Sequence, residues 1–94
     1  MIKHTVFFKL KHATGSAAEA EFLKAGTQLS KIPGVIDFEV VRQTSKKNTF
    51  DFGFLMGFKG EADYQFYNKH PLHVSFVQGR WIPEVEEFLE IDYV

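Results

Sequence analysis

A chain of 94 residues, 45% apolar and 24% charged, has the size and composition of one globular domain and leaves no room for a second. A net charge of −1, without clustered Lys and Arg, excludes the electrostatic footprint that nucleic acid or an anionic membrane requires. The absence of cysteine removes disulfides, thiolate nucleophiles and cysteine-ligated zinc together.

Ile2 to Leu10 alternates with a period of two and predicts a strand, with Ile2, His4, Val6, Phe8 and Leu10 on its more apolar side. This opening has no long apolar core of a signal peptide, and no apolar run approaches membrane-spanning length, so a cytoplasmic location is expected. Gly15-Ser16 opens a predicted helix, with Ser16 and Glu19 at the spacing of a capping box. Ala18, Phe22, Ala25, Leu29 and Ile32 recur on one face of that helix, a face that requires a sheet to pack on. Pro33-Gly34 ends it, and a second strand runs from Val35 to Arg42 before the polar turn Thr44 to Asn48. A third strand, Phe50 to Lys59, carries Phe50, Phe52, Phe54, Met56 and Phe58 on one side as an aromatic wall. Glu61 to Lys69 reads as a helix, Pro71 suits the first turn of a short helix closed by Gly79, and Val85 to Val94 is a last strand.

This β-α-β-β-α-β order predicts an α+β, ferredoxin-like domain over residues 1–94, with four antiparallel strands and the helices on one face. Strand parity assigns Phe7, Val35, Val41, Leu55, Leu89, Ile91 and Tyr93 to the other face. An apolar strip across four strands is a contact surface, and a second copy of the chain is the expected partner.

Of the four histidines, His12 lies among loop residues and reads as solvated, whereas His4 shares the core-directed side of the first strand. Burying His4 demands partners for its ring nitrogens or a polar cavity. His70 and His73 flank Pro71-Leu72, and Tyr67 precedes His73 across the same helix junction, where a bend would aim Tyr67 and His73 into one space. A neutral imidazole accepts a proton and a phenol donates to an enolate or carbonyl oxygen, so the two make a minimal acid-base pair. The bland alternative makes Tyr67 a helix anchor and His70 a helix cap. His70-x-x-His73 read as a metal pair lacks a third ligand, and neither metal nor cofactor is expected. Val77-Gln78-Gly79-Arg80 resembles a phosphate-cradling loop but follows a helix instead of the first strand.

The stretches His4-Thr5-Val6-Phe7-Phe8-Lys9-Leu10-Lys11, Tyr67-Asn68-Lys69-His70-Pro71-Leu72-His73-Val74 and Asp92-Tyr93 together resemble the stress-responsive dimeric A/B barrel (Dabb) family over nearly the whole chain. The resemblance implies a homodimer whose open sheet faces pack into an α+β barrel. It extends to olivetolic acid cyclase-like members, which close a linear polyketide by aldol condensation with retention of a carboxylate. Motif matching to them implies Tyr67 and His73 as catalytic groups and His4 as a pocket histidine. Val6, Phe8 and Phe22, with Phe38, Phe54 and Phe76, would then wall a pocket for a small apolar or aromatic ligand. Phe52 stands where the cyclase has a further histidine. The reactions open to such a site are cofactor-free cyclisation, isomerisation or monooxygenation. The alternative is a structural stress-associated dimer whose phenylalanines fill the space between helices and sheet.

Overall fold

A computed structural model describes residues 1–94. It contains strands β1 (Ile2–Leu10), β2 (Ile36–Arg42), β3 (Phe52–Phe58) and β4 (Val85–Tyr93) and helices α1 (Ala17–Thr27), α2 (Glu61–Lys69) and α3 (Pro71–Phe76). The antiparallel sheet has the order β2-β3-β1-β4, the ferredoxin-like topology expected from the sequence. No helix is long and apolar enough to cross a membrane.

The Ser16 half of the predicted capping box forms, while Glu19 reaches one residue past the N-cap to Gly15, because the Ser16 amide is taken by the Ala13 carbonyl. Ser16 accepts from the Glu19 amide at 3.2 Å, and the Glu19 carboxylate reaches back to the Gly15 amide at 3.1 Å. The predicted helix through Ile32 is instead α1 followed by a 3₁₀ turn, Gln28–Lys31, which keeps Leu29 and Ile32 turned inward ahead of Pro33. Phe8, Phe22, Phe54 and Phe58 are essentially inaccessible and form the centre of the core. Gly26 is what lets α1 reach the sheet, because a β-carbon there would stand 2.3 Å from the Phe54 ring.

β2 departs from simple alternation. Asp37 has φ 50°, and the pairing with β3 shifts between Ile36 and Glu39, so an extra residue is absorbed. In consequence Val35, expected on the open face, packs against the core beside Phe38. The rest of the open-face set holds its place. Val41 pairs with Gly53, Phe7 with Gly53 and Leu89, and Thr5 with Leu55 and Ile91. Leu89, Ile91 and Tyr93 are about half exposed.

After α3 the chain continues as a π-helical turn, Val77–Trp81, and one further helical turn, Ile82–Glu84, before β4. The Glu84 carboxylate is hydrogen-bonded to His12 Nε2 at 2.6 Å, tying this segment to the end of β1, and forms an ion pair with Arg80 Nε at 2.8 Å without hydrogen-bond geometry. His12 is therefore a structural partner and not a merely solvated side chain. Trp81, held in the same segment, lies 5.0 Å from the Phe8 ring centre and 5.6 Å from that of Phe88.

Candidate functional site

The space between the helices and the sheet divides in two. Beneath α1 it is solid, filled by Phe8 and Phe22, and beneath α2 Phe58 packs against Tyr64 and Tyr67. Toward β4 it opens into a cavity of about 390 Å³, walled by Val6, Leu29, Phe54, Met56, Phe76 and Trp81. Val77, Ile82 and Phe88 complete the apolar lining, and His4, Tyr67, Asn68, His73 and Glu90 supply its polar groups. The volume suits a small organic molecule, and the apolar walls with a few converging polar groups are typical of such sites. Ile82 and Phe88 are more than half exposed, so the mouth lies along β4.

Tyr67 and His73 meet because the helix breaks between them. His70 adopts an extended backbone, accepts the Leu72 amide on Nδ1 and starts α3 in a new direction. The Tyr67 and His73 ring centres are then 4.4 Å apart. His73 Nδ1 lies 3.1 Å from the Asn68 carbonyl oxygen, so this nitrogen is the donor and Nε2 is left with its lone pair. Burial lowers the pKa of His73 below its ordinary 6.5, against the opposing pull of the Asn68 hydrogen bond, and keeps the ring neutral near pH 7. Tyr67 is 2% exposed, and its hydroxyl has no hydrogen-bond partner in the chain. Burial, reinforced by Glu90, pushes that hydroxyl well above the usual tyrosine range and keeps it a donor. His70 and His73 thus have separate local duties.

His4 forms the other side of the polar end, its ring centre 6.2 Å from that of Tyr67. His4 Nδ1 lies 2.6 Å from Asp92 Oδ1 and 2.8 Å from the Tyr64 hydroxyl, which itself donates to Asp92 Oδ2 at 2.7 Å. The three contacts are compatible when Nδ1–H is shared between Asp92 Oδ1 and the Tyr64 oxygen while the Tyr64 hydroxyl donates to Asp92 Oδ2. Burial first, and then Asp92, drive the Tyr64 hydroxyl far above its ordinary value. The potential ligand atoms of His4, Glu90 and Asp92 lie within 4.8 Å of one another.

Of the residues predicted for the pocket wall, His4, Val6, Phe54 and Phe76 line the cavity. Phe8, Phe22 and Phe38 do not: the first two are solid core, and Phe38 packs on the far side of Phe54 at 5.6 Å. Sequence reasoning missed Trp81, Phe88, Glu90 and the Tyr64–Asp92 pair. The parity of β4 already carried part of the signal, since Phe88, Glu90 and Asp92 share the side that faces His4, Val6 and Phe8.

A ferredoxin-like sheet with helices on one face, enclosing an apolar cavity headed by a tyrosine and two histidines, defines a small α+β pocket protein. The stress responsive A/B barrel domain (Dabb) matches residues 2–94, and the chain belongs to that family. It is 56% identical to a Dabb family protein with a ferredoxin-like fold from Mesorhizobium loti, with a TM-score of 0.96 over 99% of this chain and 94% of that one. A dimeric protein of unknown function from Bacteroides fragilis shares the fold at 23% identity and a TM-score of 0.74, covering 98% of this chain and 93% of that one. So does a hydroxynitrile lyase from Passiflora edulis, at 16% identity and a TM-score of 0.84, covering 98% of this chain and 90% of that one. No curated protein matches the chain.

Proposed function

We propose that the cavity binds a small, mostly apolar carbonyl or aromatic compound and that Tyr67 and His73 perform acid-base chemistry on it without a cofactor. The observation that carries this reading is the unpartnered hydroxyl of Tyr67, a residue otherwise buried, open to an apolar cavity beside a neutral imidazole. A hydroxynitrile lyase on the same fold is a precedent for catalysis on this scaffold. His73 Nε2 removes a proton alpha to the substrate carbonyl, and the electron pair moves onto the carbonyl oxygen. Tyr67 donates a hydrogen bond to that oxyanion without giving up its proton, as its raised pKa favours. His73 then returns the proton, either to another carbon in an isomerisation or to the new alkoxide after the enolate carbon has attacked a second carbonyl.

The competing reading, a structural dimer with a filled core, accounts for Phe8 and Phe22 but not for the open half beside β4. Dimerisation itself fits both readings. We infer that two copies pair through the open sheet face, in keeping with the dimeric fold relative.

Exchange of the alpha protons of 4-phenyl-2-butanone in D₂O, followed by NMR, tests the chemistry. The protein accelerates exchange, His73→Gln lowers the catalysed rate by about 10²–10⁴-fold, and Tyr67→Phe lowers it by about 10²–10³-fold. An exchange rate unaffected by His73→Gln would remove His73 from the mechanism.

A further inference from the structure

The charges around the cavity are one-sided. No Lys or Arg lines it, and Glu90 is its one carboxylate. Glu90 stands opposite Val6 on β4, two residues before Asp92, with its carboxylate within 4.8 Å of the ligand atoms of His4 and Asp92. No Lys or Arg forms an ion pair with it. His4, the nearest imidazole, is already paired with the Asp92 carboxylate at 2.6 Å. Burial holds His73 neutral at neutral pH, and Tyr64 and Tyr67 remain protonated. Arg80, the cation next to Trp81 in the chain, is occupied by Glu84 at 2.8 Å, and Glu84 also holds His12.

A ligand carboxylate entering this space would lose hydration and meet no cation in return, with Glu90 repelling it at the mouth. An ammonium would meet the opposite conditions. The Trp81 and Phe88 rings, set edge to face at 5.6 Å, line the same cavity and supply aromatic surface of the kind that attracts a cation.

Resting on the reading of the cavity as a binding site, we propose that it takes uncharged or cationic carbonyl compounds and rejects carboxylates, and that Glu90 sets this preference. The preference departs from the carboxylate-retaining chemistry that the resemblance to the cyclase implies. It narrows the substrate to a ketone or aldehyde on an apolar or aromatic body, with any charge being an amine directed to the β4 side.

Three probes with a common body test it: 4-methylacetophenone, 4-acetylbenzoate and 4-(aminomethyl)acetophenone. Their dissociation constants are read at low ionic strength from the fluorescence of Trp81, the single tryptophan, in the full chain. Binding tightens from the carboxylate to the neutral ketone to the amine, by about three- to tenfold at each step, and the steps shrink as salt is added. In Glu90→Gln the steps collapse, and in Glu90→Lys their order reverses. Glu90 is exposed, and retention of the near-UV circular dichroism of the parent confirms that each variant is folded. A carboxylate that binds as tightly as the neutral ketone overturns the inference and leaves the binding site standing. So does selectivity that survives unchanged in Glu90→Gln. If none of the three binds the folded parent, the binding-site reading fails and this inference falls with it.

Discussion

His73 shows how a side chain acquires a chemical role from what surrounds it. Burial lowers its pKa, the Asn68 carbonyl raises it, His4 lowers it again and Glu90 raises it, with burial the largest influence. Between the folded value and 6.5, the unfolded chain binds a proton that the folded chain does not. The stability contributed by the neutral ring is therefore intact above pH 6.5 and is lost as pH falls through the window below it. The same titration sets the acid limb of any reaction that uses His73 as base. Following the imidazole C–H resonances of His73 by NMR should place its midpoint below 6.5, and lower still in Glu90→Gln, where a stabilising negative charge is gone. A native midpoint at or above 6.5 would contradict the buried, neutral base on which the mechanism rests.

At the scale of elements, the distance between α1 and the sheet is fixed by a glycine. Gly26→Ala gains about 1 kcal/mol of helix propensity. The added β-carbon, however, would stand 2.3 Å from the tip of Phe54, a ring that is 1% exposed and locked among Phe8, Phe22 and Phe76. Overpacking of a rigid core costs about 1–3 kcal/mol, and with so short a contact against an immobile ring the steric cost dominates. Urea denaturation should show Gly26→Ala less stable than the parent, and equal or greater stability would mean that α1 has slack to move. The helix face that buries Gly26 was legible in the spacing of Phe22, Leu29 and Ile32, and β1 and β3 were legible from their period of two. The inward turn of Val35 was not, because it depends on the bulge at Asp37, and one extra residue reverses parity without leaving a pattern. Tyr67 and His73 were legible because the Pro71 break lies between them and is local. The His4–Tyr64–Asp92 network joins residues far apart in sequence, and only the β1–β4 register brings them together. The cavity was legible only in outline, since whether a phenylalanine fills space or borders it depends on a few ångströms of helix placement.

At the scale of the molecule, one sheet carries all its helices on one side, and the domain measures 36 × 28 × 18 Å. Its open face presents Phe7, Val41, Leu55, Leu89, Ile91 and Tyr93 in adjacent rows, bordered by Lys3, Lys9 and Glu39. A stable interface needs about 800 Å² from each partner, an area within reach of a face 36 × 28 Å across. Pairing through this face would leave the cavity on the far, helix-covered side of each sheet, so assembly and chemistry are separable by mutation. Leu55, half-buried in a single copy, pairs with Thr5 near the middle of the face, where a charge would lack both water and a partner once two sheets meet. Leu55→Asp should weaken self-association by at least about 100-fold, since an unpaired charge in a closed interface costs about 3–5 kcal/mol. Sedimentation at micromolar concentration should show the parent as a dimer and the variant as a monomer. Leu55→Ala, which removes contact area without adding charge, should lie between them. Binding of 4-methylacetophenone by the monomeric variant should persist if the cavity is complete within one chain. A parent that sediments as a monomer would leave the apolar strip without the partner assigned to it.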